Sequence, residues 1–72
     1  MEFIEREAAK AVSDKLKMIL PDLKAAYYSA KRLEYDYNWD VRSDQMCEAY
    51  MTLAGAYLEV MESLEEDKED AK

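Results

Sequence analysis

The sequence predicts an all-α protein: a long kinked helix and a second helix forming an antiparallel hairpin, which pairs with a second copy as a four-helix bundle. Three observations carry this expectation. The 72 residues include one glycine and one proline, the two residue types least tolerated inside helices. Half of the residues are apolar, too many for a disordered chain. Those apolar residues recur at alternating steps of three and four through two stretches of the chain, the repeat of a helix that packs along another helix.

The first helix is expected from about residue 3 to residue 37. Its seam reads Ala9, Val12, Leu16, Ile19, Leu23, Ala26, Ala30, Leu33, Tyr37. With these residues at heptad positions a and d, Pro21 falls at f, the position furthest from the seam. A proline there kinks the helix and leaves its ring on the convex solvent side. The phase of the seam survives the proline, which favours one kinked helix. A break at Pro21, giving a three-helix bundle, is the alternative. Lys10, Lys17, Lys24 and Lys31 recur at position b, a basic line suited to setting the register against an acidic one.

The connection, residues 38–43, invites a metal reading. Asp36, Asn38, Asp40 and Asp44 resemble the opening of an EF-hand calcium loop. The sixth place of that motif needs glycine and holds Val41; the twelfth needs glutamate and holds Cys47. With both geometric keys missing, the stretch reads as a helix end. Tyr37 closes the seam, and Asn38 tolerates the left-handed conformation of a terminator. Trp39 folds back over the open end, and Ser43 or Asp44 caps the next helix.

The second helix is expected from about residue 44 to residue 66, with a seam of Met46, Tyr50, Leu53, Tyr57, Val60 and Leu64. Cys47, Ala54 and Met61 flank that seam on one side and Ala49 and Ala56 on the other, with Met51 and Leu58 further round. So broad an apolar stripe exceeds what one antiparallel neighbour covers. An obligate homodimer follows, with Tyr50, Leu53, Ala54, Tyr57, Met61 and Leu64 at its interface. Gly55 sits in mid-helix between alanines, where it permits a close approach of another backbone. Residues 1–66 form one domain, and residues 67–72 read as a charged, frayed tail.

Composition narrows the function. There is no histidine and one cysteine, Cys47, so neither a disulfide framework nor a His/Cys metal site is available. No cofactor is expected. Cys47 itself reads as a buried structural thiol. No apolar run approaches a membrane span, and the acidic N-terminal stretch is unlike a secretory signal, so a cytoplasmic protein is expected. The net charge is −7, and the last 24 residues hold seven acids against two bases. Direct nucleic-acid binding is disfavoured and a basic protein partner favoured.

Glu48, Glu59, Glu62 and Glu66 line the second helix opposite its seam, despite mutual repulsion and an unfavourable helix dipole. Tyr28, Tyr35 and Trp39, beside Asp36 and Asp40, form an aromatic tip of the type interfaces favour. Glu59 and Glu62 have the ExxE spacing of the all-helical magnesium-dependent nucleotide pyrophosphatases, but no second paired motif faces them. The expected function is that of a non-enzymatic protein-binding module or small inhibitor. It engages a basic, nucleic-acid-binding partner by imitating phosphates. The compositional analogy is with phage inhibitors of host defence, anti-CRISPR proteins among them. A structural subunit pairing its apolar second helix with another protein, and a ligand- or calcium-binding helix-loop-helix, are the alternatives.

Overall fold

Asn38 divides the chain into two helices. In the computed structural model, which describes residues 1–70 and side chains through Asp67, α1 spans Phe3–Tyr37 and α2 spans Ser43–Asp70. The helices pack against each other as an antiparallel hairpin. Pro21 lies inside α1 and is exposed, so the chain makes one helix there and not two. Asn38 takes φ 59° and ψ 34°, and the Trp39 N–H donates to the Leu33 carbonyl at 3.2 Å. This six-residue closure around a left-handed residue satisfies a carbonyl that the helix end leaves orphaned.

α2 outlasts its expected end. Helix continues from Glu66 to Asp70, because Asp67 is held by both the Met1 amino group at 2.9 Å and the Arg6 guanidinium at 2.6 Å. Of the expected tail, only residues 71–72 lie outside the described residues. No helix among the described residues is long and apolar enough to cross a membrane.

The rotation of α1 differs from the expected seam. Ala9, Leu16, Leu23 and Ala30 do face inward, but their companions are Ser13, Leu20, Tyr27 and Glu34, one residue on from Val12, Ile19, Ala26 and Leu33. Ser13 is buried, its hydroxyl donating to the Lys10 carbonyl at 2.9 Å. Val12 and Ile19 remain 47% and 48% exposed. Both ends of the hairpin impose this turn. Arg6 and Glu34, 28 residues or four heptads apart, share position e, and each is anchored to α2. Satisfying both anchors brings the a and e lines, and not a and d, against the second helix.

The packing is thin. Ala30 is the one buried apolar residue among those described, and no side chain among them is fully enclosed. The molecule is a rod, 55 × 14 × 13 Å, with a radius of gyration of 16.4 Å; compact domains of this length scale to about 11 Å. Its accessible surface is 5992 Å², against roughly 4,600 Å² for a compact monomer of this mass.

Candidate functional site

The loop end is built around Glu34. Ser43 does not cap α2 by accepting from its own first turn, as expected. Its hydroxyl donates to Glu34 Oε1 at 2.5 Å, and its backbone N–H donates to Glu34 Oε2 at 3.0 Å. A carboxylate from α1 therefore serves as the anionic cap of α2, where the helix dipole favours negative charge. The Ser43 hydroxyl first, and its N–H second, hold the Glu34 carboxyl below the usual glutamate range. Arg42, at φ 54°, turns the chain so that its carbonyl accepts from the Gln45 and Met46 N–H groups. Glu34 and Arg6 lie at position e, beside the a/d seam that local spacing predicts, and Asp67 lies past the expected end of α2. Their available signal was the four-heptad spacing of Arg6 and Glu34.

The former calcium-motif residues do not converge. Asp36 belongs to α1, with Arg32 at 3.6 Å from its carboxylate, and Asn38 is the helix terminator. Among the described residues no group of three or more acidic, cysteine or histidine side chains is placed to hold a metal ion. Trp39 stays 59% exposed and does not close over the hairpin end.

The hairpin has two unlike faces. On one, Lys10, Lys17, Lys24 and Lys31 run beside Tyr28 and Tyr35, and α2 contributes Cys47, Met51, Leu58 and Met61. Lys24, Tyr27, Tyr28, Cys47, Tyr50 and Met51 line one cleft of this face. Tyr27 and Tyr28 rings lie 5.4 Å apart, and Lys31 Nζ sits 5.7 Å from the Tyr27 ring centroid, within cation–π range. Cys47 is a half-buried free thiol here, not a fully buried one. The opposite face carries Val12, Ile19 and Ala26 from α1 with Ala49, Leu53, Ala56 and Val60 from α2, an apolar strip bordered by Glu5, Glu48 and Glu59.

Glu48, Glu59, Glu62 and Glu66 are all exposed on the outer side of α2, spread over about 27 Å of helix. No cation pairs with any of them among the described residues. The lysine line lies across the molecule from them, so the two lines do not meet within the hairpin as register would require. The aromatic tip is separate too: Tyr28 and Tyr35 point from the lysine face, with Tyr35 86% exposed, away from the carboxylates. The glutamates and the tyrosines expected to form one partner surface thus occupy two. The six expected interface residues also divide. Tyr50, Tyr57 and Leu64 are half-buried on the line facing α1, Ala54 and Met61 belong to the lysine face, and Leu53 to the opposite one. Gly55 is exposed, and a Cβ built on it meets nothing within 4 Å, so no backbone of the same chain approaches it.

No family model, curated protein or solved structure matches this chain.

Proposed function

We propose that this protein is a non-enzymatic interaction module whose α2 carboxylates engage a basic protein partner, with nucleic-acid-binding proteins the best-matched class. One observation supports this reading above the others. Glu48, Glu59, Glu62 and Glu66 stand exposed and unpaired among the described residues, along one side of one continuous helix. A straight row of oxyanions is what a phosphate-binding groove recognises through its arginines and lysines. Like charges one turn apart repel by a few tenths of a kcal/mol per pair, about 0.2–0.5, so Glu59, Glu62 and Glu66 cost the helix that carries them. An inhibitor of a nucleic-acid-handling protein, of the kind phages direct at host defence, fits the same reading.

The test is affinity capture from host extract with the wild type and with Glu59→Gln/Glu62→Gln/Glu66→Gln, circular dichroism checking that both are helical. Captured proteins are expected to bind nucleic acid, to be released by added duplex, and to be lost with the neutralised variant. Capture that survives neutralisation overturns the reading.

A further inference from the structure

We infer that the face of Val12, Ile19, Ala49 and Leu53 is the seat of a second copy of this chain, giving a four-helix bundle. The hairpin exposes roughly 1,400 Å² more than a compact monomer of its mass, and two such excesses, roughly 2,800 Å², fall within the size of obligate homodimer interfaces. Two apolar faces compete to be covered, and the placement of charge separates them. Self-pairing through the lysine face desolvates the line Lys10, Lys17, Lys24 and Lys31 together with the acids of its clefts, Glu7, Asp14, Asp44 and Glu65, which costs stability unless every charge finds a partner. The other face presents Val12, Ile19 and Ala26 beside Ala49, Leu53 and Ala56 along its middle, with Glu5, Glu48 and Glu59 at its border, and its alanines allow helices to approach closely. The rotation of α1 points the same way. Its a and e lines are used on α2, leaving the apolar d line open, and a helix in a four-helix bundle needs inward residues toward two neighbours. Lys15 and Asp22 rim the α1 side, charges of both signs that a two-fold arrangement satisfies mutually.

Glu48 and Glu59 border this face, so the test leaves all four α2 carboxylates in place and reads chain mass, not partner capture, which keeps its failure distinct from that of the proposed function. The test compares Ala49→Lys, on the Val12 and Leu53 face, with Met51→Lys, on the lysine face, by sedimentation equilibrium and circular dichroism at micromolar concentration. Ala49 is exposed in the lone hairpin and lysine is a good helix former, so the change removes nothing from the hairpin's own packing. The wild type and Met51→Lys are expected at twice the 8.4 kDa chain mass. Ala49→Lys is expected to fall to the single-chain mass, or to lose helicity because its fold depends on the partner copy. A fully helical wild type of single-chain mass overturns the inference. So do two variants that behave alike, or a dimer lost with Met51→Lys and kept with Ala49→Lys.

Discussion

Glu34 interrupts an apolar repeat, and it fastens the hairpin. Its two carboxylate oxygens accept the hydroxyl and the backbone N–H of Ser43, so one side chain joins the last turns of α1 to the first turn of α2. Because the Ser43 bonds lower its pKa in the fold, the linkage sign is fixed. The contribution is complete above the unfolded glutamate value and is lost as pH falls from there through the lowered one. Asp67 behaves in the same sense, its pKa lowered first by the bond from the N-terminal amine and then by Arg6. Glu34→Gln is therefore expected to lower the melting temperature at neutral pH and to flatten its fall between neutrality and about pH 3, the span across which carboxylates protonate. Parallel melting profiles of variant and wild type over that range would show that Ser43 does not bind the carboxylate form. Local spacing points instead to Ser43 or Asp44 capping its own helix. Nothing in a nine-residue separation marks Glu34 as the acceptor.

At the scale of the helix, α2 carries an internal weak point. Gly55 sits twelve residues past Ser43 with open space where its Cβ would be. Gly55→Ala is expected to stabilise the chain by up to ~1 kcal/mol, a rise of several degrees in melting temperature for a domain of this size. No rise, or a fall, would mean that another molecule occupies that space in solution. For α1, the run through Pro21 was legible because a heptad phase that survives a proline leaves no place for a turn. Its end at Tyr37 was legible because asparagine is the residue that tolerates φ 59° there. The rotation of α1 was not. Val12 and Ile19 are more apolar than Ser13, and the seam drawn through them follows the larger hydrophobic gain. What turns the helix is polar and distant: Arg6 to Asp67 across 61 residues, and Glu34 to Ser43. The candidate surfaces were legible one by one for the same reason, as exposed lines on each helix. Their division between two faces depends on that rotation.

Over the whole molecule, charge and shape act together. The chain carries −7 in a rod 55 Å long, with the excess concentrated in its last third. Two electrostatic effects oppose one another as salt is added. Screening weakens the Arg6–Asp67, Met1–Asp67 and Arg32–Asp36 attractions, and it also weakens the repulsion among unpaired carboxylates. At about 10 mM salt the Debye length is near 30 Å, and at 1 M near 3 Å, so low salt lets repulsion act across half the rod. The attractions are few and in part exposed, and exposed pairs contribute ~0–1 kcal/mol each. The repulsion involves an uncompensated charge of −7, and it is the larger effect. The melting temperature of the wild type is thus expected to rise with added sodium chloride. Glu59→Gln/Glu62→Gln/Glu66→Gln removes three of the seven excess charges, so it is expected to melt higher than the wild type at low salt and to respond less to its addition. Dimerisation doubles the charge and leaves the sign of both expectations unchanged. A wild type that melts lower in high salt, or a neutralised variant less stable than its parent at low salt, would show that the glutamates stabilise the fold. Stabilisation on neutralisation, joined to loss of partner capture, instead identifies them as residues kept for binding at the expense of the helix that carries them.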